Sequence, residues 1–470
     1  MADLELAYTP ATELARRIRN REISPVEVIG NALARIETVD ARLNCFCFVY
    51  AEEALERARE AERAVMKGAP LGPLHGLPIA IKDLTPTRGK TTTMGSYVFE
   101  HWVPDRDAAI VEKLLGAGAI LVGKTTTPEF AHSSFTESPL WGITRNPWDP
   151  TRSPGGSSGG SGAAVATGCV ALAEGSDMGG SVRIPAALCG IVGLKPSYGR
   201  IPFDILPSQF DSLSHFGPLA RTVADAALFL SVAQGPDERD IQTLTPALDL
   251  TAPPNGDVAG MRLAYSPDLG FYALDPEVAA NTEAAVAALR EAGAEVEPVA
   301  LDWDAAINDV WYAYWGVFMA TFFGDHLETW RARMDPTVVE LIEAGQAMSA
   351  VEYRRLEFVR TRQWQALAPI LGEFDALLCP TMALPAQPVG GRDGNFERVD
   401  ADGRYHGYDM TGVFNLVSQC PVLSVPSGMT GAGLPTGLQI VGRRHDDATV
   451  LRIGAALERV RPWSDRRPPS

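Results

Sequence analysis

"AAIVEKLLGAGAILVGKTTTPEF", residues 108–130, decides the fold class. It reads as a helix, a glycine-rich turn, a strand and a loop, the alternation expected where helices cover a sheet. Before it, "LHGLPIAIKDL" (74–84) is a short apolar run with β-branched residues, which suits a buried strand with Lys82 at its carboxyl end. Residues 10–38 and 51–67 carry helical apolar spacing, and Ser24-Pro25 supplies an N-cap and first-turn signal. After it, residues 217–235 predict an amphipathic helix starting near Thr222. "MRLAYSP" (261–267) and residues 275–301 then repeat strand, helix, strand. Residues 303–335, rich in Trp, Tyr and Phe, predict helix, and residues 397–409 a polar loop. Strands return in "FDALLCPTM" (374–382), "PVLSVPSG" (421–428) and "TGLQIVG" (436–442). No internal repeat or low-complexity linker interrupts the α/β pattern.

The chain has 470 residues, 46% hydrophobic and 21% charged, which gives an ordinary globular protein ample core. A net charge of −17 opposes binding to a polyanion, because nucleic-acid affinity depends on Lys and Arg neutralising phosphates. The start, "MADLELAYTPATELARRIRNRE", has no apolar stretch of the kind that is translocated, and no run approaches the roughly 20 apolar residues needed to span a bilayer. The expectation is a soluble, cytoplasmic protein with neither nucleic acid nor membrane as partner. Six cysteines (45, 47, 169, 189, 379, 420) lie far apart without metal-site or redox spacing, and read as free thiols, mostly buried.

Chemistry concentrates between residues 153 and 200. Ser157, in Gly155-Gly156-Ser157-Ser158-Gly159, formally matches a G-x-S-x-G nucleophile elbow. An elbow needs a strand before it, however, and "RNPWDPTRSP" (145–154) is a loop with three prolines. A triad would also need a histidine, and of seven only His215, in "DSLSHFG", has a suggestive context. Ser181 is better placed. "CVALAEG" (169–175) reads as a strand, Asp177-Met178-Gly179-Gly180 as a tight turn, and "SVRIPAALCG" (181–190) as the start of a short helix. Two glycines followed by a helix N-terminus can aim several N–H groups at one point, either as an oxyanion hole or as a cap or anion cradle. Lysine is the remaining base. Only six are present (67, 82, 90, 113, 124, 195), so a lysine ending an apolar strand stands out. At its ordinary pKa an amine is neutral in about one molecule in 2,500 at pH 7. Burial can lower that pKa by several units. Lys82 is thus either half of a salt bridge, with Asp83 the nearest partner, or a neutral amine able to activate a serine.

Taken together, "LPIAIKD" (77–83), "PGGSSGGSGAAVATG" (154–168), "GSDMGGSVRIPAALCGIVGLKPSYGR" (175–200) and "LPTGLQIVGRRHDDATVLRIGAALE" (434–458) resemble the amidase signature family of Ser-Ser-Lys hydrolases. The spacings from Lys82 to Ser157 and from Ser157 to Ser181 match the family pattern. The resemblance implies one large α/β domain over 1–470, a mixed twisted sheet covered by α-helices. Residues 1–70 would be an N-terminal helical region, and 303–365 an aromatic-rich helical region on the substrate side. It implies Ser181 as nucleophile, Ser157 as a bridging serine held in a cis peptide, and Lys82 as terminal base. Met178, Gly179 and Gly180 match the backbone oxyanion-hole positions, while Ser158, Asp177 and Arg183 match supporting positions.

The activity so implied is hydrolysis of C–N bonds through an acyl-enzyme, without metal or organic cofactor. Neutral, apolar or aryl amides are the expected substrates. Carbamates (urethanes) present the same carbonyl and nitrogen leaving group. A small-molecule partner and a monomer or homodimer are expected, with an alkaline optimum set by Lys82. The alternative within the family is the amidase component of a tRNA-dependent amidotransferase complex. That subgroup has "SIRQP", whereas residues 181–185 read SVRIP, and Ile184 offers no amide to a polar substrate. The family's membrane-bound fatty acid amide hydrolases carry an anchoring segment with no counterpart here. Tyr97, Thr136, Trp141 and Trp315 are candidate pocket-wall residues. The rings of Trp311, Tyr314, Trp315, Phe318 and Phe322 fit a substrate funnel or core packing equally well.

Overall fold

The computed structural model describes residues 2–250 and 254–469. The strands of the main sheet are β1 (Phe46–Val49), β2 (Pro78–Lys82), β3 (Ile120–Thr125), β4 (Leu172–Asp177), β5 (Val192–Lys195), β6 (His215–Ala220), β7 (Arg262–Tyr265), β8 (Glu295–Pro298), β9 (Ala376–Pro380), β10 (Val422–Met429) and β11 (Pro435–Gly442). They join in the order β1-β3-β2-β4-β6-β5-β10-β11-β9-β7-β8. Pairing is parallel where β2 lies between β3 and β4, and where β7 lies between β8 and β9. The remaining neighbours are antiparallel, so a single α/β domain is built on one large mixed sheet.

Both faces of the sheet are covered, which explains why its central strands read as continuous apolar runs. All five residues of β2 are buried. Ile79 and Ile81 pack with helices Ala109–Gly116, Val223–Ala233 and Asp447–Val460. Ala80, on the opposite face, packs with helices Pro25–Leu43, Ala51–Lys67 and Gly159–Ala166. Gly159–Ala166 is a helix of small residues because it lies tight against its neighbours. A Cβ on Gly160 would meet Thr126 Oγ1 at 2.4 Å. A separate layer of helices, Ala306–Phe323, Pro336–Ala347 and Ala350–Glu373, carries the aromatic residues and packs over the carboxyl end of β4.

Two expectations are corrected. Residues 217–235 hold a strand as well as a helix: β6 precedes Val223–Ala233, whose N-cap is Thr222. Gly217 and Pro218 inside β6 disguise it, since both are unusual in a central strand. The helix itself is buried over most of its surface, because it lies between the sheet and the C-terminal helix. Residues 397–409 are not simply loop, for Arg398–Val399 pairs with Tyr405–His406 in a small antiparallel ribbon. The cysteines are free, five buried and Cys47 partly so. Among the described residues no helix is long and apolar enough to cross a membrane.

Candidate active site

Parallel pairing brings the carboxyl ends of β2 and β4 to the same edge of the sheet. Lys82 ends the first and is completely buried. Its Nζ donates to Ser157 Oγ at 2.5 Å and to Ser176 Oγ at 2.9 Å. Among the described residues no carboxylate pairs with it. Asp83 instead faces Lys124, 3.4 Å away on β3. Burial pushes the Lys82 ammonium well below the usual lysine range, while Glu174 and then Asp177 hold it partly up. Glu174 sits behind the lysine, accepting from the Lys82 backbone N–H at 2.9 Å and from Thr85 Oγ1 at 3.0 Å. Burial raises its carboxyl, so the lysine's nearest acid is itself pushed toward the neutral form.

Ser157 follows a cis peptide bond from Gly156. Its loop is fastened on two sides. Thr136 Oγ1 donates to Gly155 O (2.7 Å) and accepts from Gly159 N–H (3.1 Å). Ser158 N–H donates to Ser181 O (3.2 Å), and Ser158 Oγ to Ser176 O (3.3 Å). The two serine-bearing loops are thereby held together through Ser158.

The turn after β4 is organised by a buried ion pair. Arg183 Nη2 and Nε lie 2.9 and 3.0 Å from the Asp177 carboxylate. Arg183 also donates to Thr411 O, Gln439 Oε1 and Asn415 Oδ1. Burial would raise the Asp177 carboxyl, but the guanidinium outweighs it and holds that carboxyl well below the usual range. The same carboxylate accepts Gly180 N–H at 2.9 Å and Val182 N–H at 3.3 Å. The helix that follows runs Arg183–Cys189 with Val182 at its N-cap, so Ser181 stands in the turn before it. Gly180 has φ of +125°, and a Cβ there would strike Thr411 Oγ1 at 1.8 Å. Two carbonyls of the turn are also engaged: Trp311 Nε1 donates to Met178 O (3.0 Å) and Thr411 Oγ1 to Gly179 O (2.5 Å). Among the described residues the N–H groups of Met178, Gly179 and Ser181 meet no partner, whereas that of Gly180 is taken by Asp177.

Ser181 lies where two cavities meet. One, of about 190 Å³, holds Ser157, Ser176 and Ser181 and is walled by Phe99, Phe130, Phe203, Phe318 and Phe322 with Leu84 and Ile205. The other, of about 330 Å³, shares Met178 and Ser181 and is lined by Trp311, Trp315, Ile184, three tyrosines of the 272 and 405–408 segments, and four acidic residues. Of the candidate wall residues, Trp315 lines this second cavity. Tyr97, Thr136 and Trp141 line neither: Arg333 stacks on Tyr97, Thr136 braces the Ser157 loop, and Trp141 Nε1 donates to Thr93 Oγ1. His215 lines neither cavity as well, lying within hydrogen-bond distance of Leu213 O and Ser418 O. Burial and then Lys195 push its ring down to about 3, which leaves it neutral.

Glu174 and Ser176 are the site residues that sequence reasoning missed on β4. Their signal was present, because two polar residues spaced i, i+2 in an apolar strand share one face. Asp393, Glu397, Tyr405 and Asp409 were missed without such a signal, since their segment has no periodicity.

The Amidase family profile matches residues 27–451. An acylamidase from Rhodococcus erythropolis is 37% identical over 472 residues, spanning 100% of this chain and 98% of the relative. The A-type component of the glutamyl-tRNA(Gln) amidotransferase from Chloroflexus aggregans is 38% identical, covering 99% of both chains. Among solved structures, a bacterial aryl acylamidase of the amidase signature family superposes with a TM-score of 0.91 at 31% identity, covering 97% of both chains.

Proposed function

The chain belongs to the amidase family and is an amidohydrolase, and from that premise we propose that it cleaves neutral amides bearing an apolar or aryl group, and the corresponding carbamates, through an acyl-enzyme on Ser181. The observation that carries this reading is the contact of Ser157 Oγ with a buried lysine that has no counter-ion among the described residues, Ser157 and Ser181 both lining one phenylalanine-walled cavity. As Ser181 Oγ attacks the carbonyl carbon, its proton passes to Ser157, and the Ser157 proton passes to neutral Lys82. The carbonyl oxygen becomes an oxyanion that accepts from the free N–H groups of Met178, Gly179 and Ser181. Collapse breaks the C–N bond while the relay returns a proton from Lys82 through Ser157 to the nitrogen, and the amine leaves. Water then attacks the ester by the same relay, releasing the acid and restoring Ser181. The identity to an acylamidase and the likeness to an aryl acylamidase support the substrate class. Aniline release from an acyl anilide and from a size-matched N-aryl carbamate tests it. Ser181→Ala is expected to abolish both, and release that survives in this variant overturns the assignment.

The similarity to an amidotransferase component favours a second reading, in which the chain releases ammonia from glutamine inside a complex. Ile184 argues against it, because this apolar side chain lines the cavity at Ser181. Glutaminase activity without anilide hydrolysis would select this alternative.

A further inference from the structure

The two cavities that meet at Ser181 differ in chemistry. The smaller is walled by phenylalanine and aliphatic side chains. The larger carries Glu340, Asp393, Glu397 and Asp409, with no Lys or Arg among its described lining residues. We propose that the larger cavity is a cation subsite, which takes an ammonium group on the half of the substrate that lies across the scissile bond from its apolar group. This rests on the amidohydrolase reading given above.

None of the four carboxylates, Glu340 exposed and the other three half-buried, is in an ion pair among the described residues. Asp393 uses only Oδ2, which accepts from Ser133 Oγ (2.9 Å) and Ser134 N–H (3.1 Å), and its Oδ1 is buried without a partner among the described residues. Asp409 engages only Oδ1, which accepts from Thr411 N–H (3.0 Å) and lies 2.6 Å from Thr411 Oγ1, a hydroxyl whose one proton is shared with Gly179 O. Asn308 lines the same cavity, is 7% exposed, and accepts from Tyr272 OH while its Nδ2 likewise has no partner. An unmet buried acceptor and an unmet buried donor among the lining residues of one cavity are each costly, and both are relieved by a head group carrying an ammonium beside an oxygen. Tyr272, Tyr405 and Tyr408 add ring faces, which attract cations as well as apolar groups. Burial, with Asp409 and Asp309 nearby, holds the Glu397 carboxyl up at about 7, a cost that a bound cation offsets.

Binding and turnover are tested separately. Calorimetry compares phenylalkylammonium ions of increasing chain length with phenylalkanols of the same length on wild-type protein. The ammonium is expected to bind about tenfold more tightly at its best length, an advantage that shrinks in high salt. Glu397→Gln should reduce that advantage, and so should Glu340→Gln, a change at an exposed position that keeps the test open if the first variant folds poorly. Equal binding of alcohol and ammonium at every length, or an advantage that survives both substitutions, overturns the subsite. Failure of the enzyme to hydrolyse any anilide, with the ammonium preference intact, overturns the apolar-amide substrate class proposed above and leaves the subsite standing.

Discussion

Two lysines are fully buried at the ends of neighbouring strands, and of these only Lys124 has a counter-ion among the described residues. The difference follows from the pleat. Lys82 and Asp83 are consecutive, so their side chains leave opposite sides of the chain, and Asp83 is delivered to Lys124 on the adjoining strand. The sequence alone could single out Lys82, because lysines are few and the run before it is apolar. It could not choose between a salt bridge and a neutral amine, because that depends on pairing with a strand much further along the chain. Burial raises the Asp177 carboxyl but the Arg183 guanidinium outweighs it and holds it well below the usual range, so the ion pair that shapes the turn should persist at neutral pH. Glu174 and Glu397 are raised toward the same range, so a limb is assigned to the lysine by its shift in Glu174→Gln and its persistence in Glu397→Gln. The expected profile of kcat/KM for a neutral anilide rises with pH along one limb, with an inflection well below the ordinary lysine value of about 10.4. Glu174 is the largest charge holding that pKa up, so Glu174→Gln should move the limb to lower pH. Stopped assays from about pH 6 to about pH 9 decide the matter, and a flat profile rejects lysine as the base.

At the scale of elements, the turn from Asp177 to Arg183 works because one carboxylate binds a guanidinium and two backbone N–H groups at once. The sequence showed the turn and its glycines but placed Ser181 at the helix start, whereas the helix begins at Arg183. Neither the N–H bonds that Asp177 accepts nor the gap before the helix can be read from spacing, since Asp at this position could equally face solvent. Asp177→Asn keeps the shape and removes the charge opposite Arg183. Breaking a buried pair in this way typically costs about 3–5 kcal/mol. The expected outcome is a loss of that size in urea unfolding, together with a large fall in kcat where the variant is still folded. Unchanged stability would mean that Thr411, Asn415 and Gln439 suffice to hold the guanidinium.

At the scale of the molecule, Ser181 receives its surroundings from segments that are far apart in the chain: the loop at 130–134, the helices from Ala306 to Ala347 and the stretch from 393 to 412. The alternation of helix and strand made the sheet legible. The cavities were not, because they depend on how the aromatic helical layer sits over the strand ends. Trp311 shows the join, with its ring nitrogen bonded to the turn at Met178. A net charge of −17 has the same sign as the acidic cavity, and such a net field favours the approach of cationic over anionic substrates. The apolar cavity should decide among acyl and aryl groups by size. Phe322 is half-buried, and its ring packs 4.5 Å from that of Phe318 on the cavity wall. Phe322→Ala removes contact area that only a large apolar group uses, and a buried phenyl contact is worth about 1.5–3 kcal/mol when fully made. A partly exposed ring gives less, so kcat/KM for a bulky aryl anilide should fall about tenfold, chiefly through KM, and the loss for an acetyl anilide should be smaller. Equal losses for both substrates would show instead that Phe322 supports the helix rather than the substrate.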